Sequence, residues 1–160
     1  MSEQASFITP DLDWSVQRVV VAGAGITGKA VAHALARRGA TVHLVDQGLT
    51  PGSSLKDELE TAGFVADDDE LGAVVEASMM VVSPGWRPDS PVLKAAATLQ
   101  VPVLGELDVA WIVQQQRGEG PVWLALTGTN GKTTAVTMAE AMLLADGRRA
   151  RAVGNVGHPI

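Results

Sequence analysis

A chain of 160 residues can hold one ordinary domain, or one domain and part of another, and its 46% hydrophobic and 19% charged content describes a core-forming protein rather than a disordered one. A formal net charge of −6 lacks the positive surface field that general nucleic-acid or anionic-membrane binding needs, so neither partner is expected. The absence of Cys excludes a disulfide framework and a thiolate metal site and suits a reducing cytoplasm, and no run reaches the ~18 apolar residues of a spanning helix.

Residues 1–16 are polar, with Glu3, Pro10, Asp11 and Asp13, and read as a frayed lead-in that packs Trp14 against the first strand at most; they have no apolar core of a signal peptide. Val19 to Ala22 then read as a buried strand. It feeds the turn Gly23-Ala24-Gly25-Ile26-Thr27-Gly28, a G-x-G-x-x-G pattern, and a helix over Ile26 to Arg38 with Val31, Ala34 and Leu35 at helical spacing, capped by Gly39. A strand from Thr41 to Val45 closes on Asp46, 18 positions after Gly28 and so near the place of a ribose-binding acid. An acid there can equally be a solvated strand end.

Leu49 to Ser54 form a turn region and residues 55–62 a short helix. The run Asp67 to Glu70 suits the positive end of another short helix better than it suits a metal. Met79 to Val82 read as a buried strand that ends in Ser83-Pro84-Gly85, where doubly wound sheets place ligands. Ser90 is read as an N-cap and Pro91 as the first residue of a helix running to Thr98; a strand over Val101 to Leu104 and a helix over Gly105 to Gln116 follow. His33 and His43 read as packing or surface residues, and the four Trp form no base-stacking stripe.

Arg117 to Pro121 break the periodicity as a linker. Beyond them the apolar run Val122 to Leu126 reads as a buried parallel strand entering Thr127-Gly128-Thr129-Asn130-Gly131-Lys132-Thr133-Thr134 and a helix from Lys132 to Ala145. Gly128 and Gly131 let the backbone curl its N–H groups around a polyphosphate, Lys132 supplies a point charge, and the Thr133 hydroxyl suits Mg²⁺. Leu126 stands where a general Walker loop has Gly, so the loop is a shorter variant. Gly147 caps the helix, Arg148, Arg149 and Arg151 form a basic cluster, Ala150 to Val153 read as a strand, and Gly154-Asn155-Val156-Gly157 follow. The expected fold is therefore α/β: a Rossmann-like parallel-sheet domain over 1–118, then the truncated start of a P-loop-type α/β ATPase domain over 119–160.

The string T-G-T-N-G-K-T-T resembles the ATP loop of the Mur ligase family and its folate-polyglutamate relatives. G-A-G-I-T-G at 23–28, S-P-G at 83–85 and G-N-V-G at 154–157 extend the resemblance from about residue 18 to Ile160, nearest the D-glutamate-adding branch. The resemblance implies a first domain that holds the UDP part of a substrate, with Ile26, Thr27 and Gly28 by the phosphates, Asp46 and Gln47 by the uridine, Gly85 against the nucleotide and Asn155 toward the muramoyl end. It implies that Gly128, Thr129, Asn130, Gly131, Lys132, Thr133 and Thr134 take ATP, with Thr133 on Mg²⁺ and Lys132 catalytic. The reaction implied is ATP-dependent ligation of D-glutamate to UDP-N-acetylmuramoyl-L-alanine through an acyl phosphate, in peptidoglycan precursor synthesis by a cytoplasmic monomer. The D-glutamate site falls in a domain outside these residues, and the 160 residues alone are expected to be inactive. A nicotinamide oxidoreductase would use the first glycine turn and leave the second idle. Another Mur or folylpolyglutamate ligase would use the second without requiring the first.

Overall fold

The computed structural model describes residues 11–118 and 120–160. The chain divides into two compact units, residues 1–118 and 119–160.

The first unit holds five parallel strands: β1 (Arg18–Ala22), β2 (Thr41–Val45), β3 (Val65–Ala66), β4 (Met79–Val82) and β5 (Val103–Leu104), in the order β3-β2-β1-β4-β5. Parallel neighbours need crossovers, and the helices supply them: α1 (Ile26–Ala36), α2 (Ser54–Thr61), α3 (Glu70–Val75), α4 (Pro91–Thr98) and α5 (Glu106–Arg117). Side chains alternate across a strand, so β1, apolar throughout, divides its residues between two cores. Val19 and Val21 join Leu35 of α1, Leu44, Leu59 and Ile112 on one face. Val20 and Ala22 join Val74 of α3, Met80, Val92 and Ala96 of α4 on the other. Burying a Val or Leu side chain of this kind contributes about 1.5–3 kcal/mol, so this sandwiched sheet is the rigid base on which the loops at its carboxyl edge are held.

Local chemistry sets the ends of these elements. Gly39, at φ +91°, turns the chain after α1, which closes at Ala36 rather than at Arg38. Ser53 caps α2 through Lys56 N–H, and Asp69 caps α3 through Gly72 N–H. The acidic run is thus used residue by residue: Asp67 faces His43 at 3.3 Å and Asp68 pairs with Lys56 at 3.0 Å. Strand β3 was not anticipated, being only two residues long, and β5 is shorter than the expected Val101 to Leu104. Of the expected frayed lead-in, residues 1–10 lie outside the described residues. Trp14 sits in a 3-10 turn (Trp14–Val16), is buried in the first core, and donates its indole N–H to Gln116 Oε1 at 2.7 Å.

The second unit contains α6 (Lys132–Ala145), none of whose residues is buried. Gly147, at φ +77°, ends the helix, and the chain folds back so that Ala152 N–H reaches the Glu140 carboxylate at 3.1 Å. Two expected strands are corrected here. Val122 to Leu126 form no strand and are largely exposed, as at Val122 (88%), and Ala150 to Val153 form none either. A parallel strand exists only as part of a ladder, and neither run is in a ladder among the described residues. A single bridge between Gly154 and His158 closes the terminal turn. Among the described residues no helix is long and apolar enough to cross a membrane.

Candidate nucleotide sites

Strand β1 stops at Ala22 because Gly23, at φ +110°, turns the backbone into a region where L side chains strain. A Cβ on Gly23 would also stand 2.7 Å from Ser83 Oγ, and one on Gly28 would stand 1.7 Å from the Gly23 carbonyl oxygen. Glycine at 23 and 28 thus allows the first turn of α1 to lie against the strand end. Gly25 caps α1 with no side-chain acceptor, which leaves the first helical N–H groups open to an anion at the positive end of the helix.

Asp46 follows β2 and is spoken for on both oxygens. Oδ2 accepts Ala24 N–H at 2.8 Å and Oδ1 accepts Gly48 N–H at 2.9 Å. The acid that the spacing assigns to a ribose therefore also ties the glycine turn to the next loop, with a second lone pair on each oxygen remaining for a hydroxyl donor. Its charge reaches Glu70 at the start of α3, whose carboxyl is held above its ordinary 4.5 first by partial burial and then by Asp46.

These loops bound an open cleft of about 610 Å³ at the carboxyl ends of β1, β2 and β4, where the strand order reverses. Gly23 and Gly25 line it from β1, Asp46 and Gln47 from β2, and Ser83 and Gly85 from β4. A Cβ on Gly85 would meet nothing within 4 Å, so its backbone is open to a ligand. Ile26, exposed, and Thr27 begin α1 beside this lining, and Gly28 is buried beneath it. Trp86, Arg87, Asp89 and Ser90 complete the wall, and the sequence reading did not single them out as ligand contacts. Ser90 stands at the N-cap of α4 (Pro91–Thr98), as its place before Pro91 predicts, but no N–H reaches its side chain.

In the second unit Gly128 (φ +156°) and Gly131 (φ +76°) shape the loop before α6, which has no side-chain cap. Lys132 Nζ folds back to donate to the Gly128 carbonyl, and to Thr129 O at 3.3 Å, which holds its charge over the loop. Thr129, Asn130, Thr133 and Thr134 are exposed around it. The Thr133 hydroxyl has no hydrogen-bond partner among the described residues and is a hard oxygen of the kind Mg²⁺ accepts. No group of three His, Cys, Asp or Glu that could hold a metal occurs among the described residues. Asn155 sits exposed on the terminal turn of this unit.

Residues 17–105 match the family described as Mur ligase MurD-like, N-terminal domain. The chain is 49% identical over 154 residues to the UDP-N-acetylmuramoylalanine--D-glutamate ligase of Thermobifida fusca (strain YX), covering 90% of this chain and 31% of that protein. It is 41% identical to the ligase of the same name from Corynebacterium jeikeium (strain K411), covering 88% of this chain and 29% of that one. The chain thus spans about a third of the length of these relatives. Among solved structures, a murein peptide ligase from Psychrobacter arcticus 273-4 superposes with a TM-score of 0.52 at 20% identity, over 82% of this chain and 27% of that one, a likeness of fold. With more than half of its residues matched by the family model, the chain belongs to the Mur ligase family as a bearer of the MurD-like N-terminal domain.

Proposed function

We propose that the protein to which these residues belong ligates D-glutamate to UDP-N-acetylmuramoyl-L-alanine in peptidoglycan precursor synthesis in the cytoplasm. In this reading residues 1–118 hold the UDP-linked substrate in the cleft, and residues 119–160 begin a central ATP-binding domain. The observation that carries it is one chain with two glycine turns, each opening a helix that has no side-chain cap, at Gly25 and at Gly131. A substrate nucleotide and an energy-supplying nucleotide need two such sites, whereas a nicotinamide enzyme needs one.

Gly128 to Gly131 with Lys132, Thr133 and Thr134 would hold the ATP phosphates, Lys132 stabilising charge on the transferred phosphoryl group and Thr133 contributing an oxygen to Mg²⁺. Bound ATP would supply the γ-phosphoryl group that turns the substrate carboxylate into an acyl phosphate, leaving ADP, and the amine of D-glutamate would then displace inorganic phosphate from the acyl carbon to form the amide. In the cleft, Ile26, Thr27 and Gly28 would lie by the diphosphate, Asp46 and Gln47 by the uridine and Gly85 along the nucleotide, with Asn155 serving the muramoyl end. D-glutamate would be held outside these 160 residues, which alone would not turn over. Calorimetric titration with UDP, NADH and ATP separately tests the assignment. Saturable UDP and ATP binding without an NADH response is expected, and micromolar NADH binding with no response to UDP would overturn it.

A further inference from the structure

We propose that the segment after β4, from Trp86 to the start of α4, is a second phosphate-binding wall, so that the two phosphoryl groups of a nucleoside diphosphate are shared between the N-termini of α1 and α4. This rests on the reading of the cleft as a nucleoside-diphosphate site.

Three observations carry it. Gly25, which caps α1, and Ser90 and Pro91, which open α4, line the same cleft, so two positive helix ends face one space. Ser90 is only 8% exposed, its Oγ has no hydrogen-bond partner, and although it stands at the N-cap of α4 its side chain makes no capping bond. A buried hydroxyl without a partner is unfavourable, and a ligand oxygen accepting from it would relieve that cost. Third, the polar groups of the cleft are sorted. The β2 side offers the Asp46 carboxylate. The β4 side offers the Arg87 guanidinium and the Trp86 indole N–H, which has no partner among the described residues and lies 3.2 Å from where a Gly23 Cβ would be. Ribose hydroxyls seek acceptors and phosphates seek donors, so a nucleotide whose sugar faces Asp46 directs its outer phosphate toward Arg87 and Ser90.

Asp89 sets the strength of the wall. It holds Arg87 through two contacts, 3.0 Å from Nε and 3.3 Å from Nη2, and lines the cleft itself. A phosphate must compete with this carboxylate for the guanidinium. Removing the Asp89 charge therefore tightens the wall and removing Arg87 loosens it, a pair of opposite signs that a merely structural role would not give.

The test is calorimetric titration of the 160-residue chain with UMP and with UDP, reading the ratio of their affinities. In the unmodified chain UDP is expected to bind about tenfold tighter than UMP, as one charge-assisted contact provides. The double variant Arg87→Ala/Ser90→Ala should bring the ratio near one with UMP affinity unchanged, and Asp89→Asn should raise it about twofold to threefold. Arg87→Ala alone, at an exposed position, keeps the test open if the double variant unfolds, and should lower the ratio about fivefold. A ratio unmoved by the loss of Arg87, or UMP and UDP weakened equally, would overturn the wall while leaving the site itself standing. Binding of neither nucleotide to the unmodified chain would overturn both.

Discussion

The carboxylate of Asp46 at the end of β2 accepts the backbone N–H of Ala24, in the glycine turn after β1, at 2.8 Å. One side chain thereby sets the distance between the loop expected to hold phosphates and the loop expected to hold the sugar. Its other oxygen fixes Gly48 N–H, so the contact is part of a two-point brace. Asp46→Ala should cost about 2 kcal/mol, since it leaves a buried N–H without its charged acceptor. Asp46→Asn, which keeps one acceptor oxygen, should cost less. Urea unfolding gives the order, and faster hydrogen exchange at Ala24 in both variants would locate the loss at the turn.

The two glycines Gly25 and Gly28 should respond very unequally to the same added methyl. A Cβ at Gly28 lies 1.7 Å from a backbone oxygen that cannot move without unseating Gly23, so Gly28→Ala should destabilise by at least about 3 kcal/mol. At Gly25 the backbone is extended (φ −74°) and nothing stands within 4 Å, so Gly25→Ala should cost no more than about 1 kcal/mol, the difference between Gly and Ala as an N-cap. Thermal unfolding of the two variants side by side is sufficient. Equal losses would mean that the turn is not held by contact between Gly23 and Gly28.

Glu70 provides a pH signature. Its carboxyl titrates above the ordinary 4.5 because partial burial and the charge of Asp46 disfavour the ionised form. Between 4.5 and the folded value the native state binds more protons than the unfolded state, so stability falls as pH rises through this window. Glu70→Gln should flatten that slope. The shifts of Asp13, lowered by its hydrogen bonds to Ser15, and Asp68, lowered by Lys56, act with the opposite sign and below 3.8, where their contribution is lost as pH falls. Urea midpoints measured at half-unit steps upward from pH 4.5, in the parent and Glu70→Gln, read the Glu70 window free of the two aspartates. Parallel curves would show that Glu70 is not the group responsible.

Sequence alone carried β2 and β4 to their terminal residues, and α6 as well, since each has a clean apolar pattern between strong punctuation. Val122 to Leu126 have the same apolar pattern as β1 and yet form no strand. Periodicity reports that a segment is fit for burial; pairing requires neighbours, which Val19 to Ala22 find in β2 and β4. The glycine turn and Asp46 were legible because their spacing is local. Trp86, Arg87 and Ser90 were not, because what brings them to Gly23 is the placement of β4 beside β1, a long-range choice that no local spacing displays. The local signal is Ser90-Pro91, a helix start soon after a strand end, and such a pair marks a cap without marking a ligand contact.

The two units should also differ in how readily they open. Every residue of α6 is at least partly exposed, whereas Val19, Val20 and Leu44 are fully enclosed in the first sheet, so the apolar burial that resists opening is concentrated in the first unit. Amides of Lys132 to Ala145 should therefore exchange well before those of Arg18 to Ala22 and Thr41 to Val45. Nucleotides should then act selectively. UDP should slow exchange in the first glycine turn without affecting α6, and ATP with Mg²⁺ should slow exchange at the start of α6 without affecting the turn at Gly23. Lys132→Ala should remove the ATP effect, with a loss of affinity of at least about tenfold from one missing charge-assisted contact, and leave UDP affinity within about twofold. Hydrogen exchange with each nucleotide in turn reads all of these at once. Loss of the UDP effect in Lys132→Ala would mean that the two glycine turns serve one ligand, and would replace the two-site reading with a single shared site.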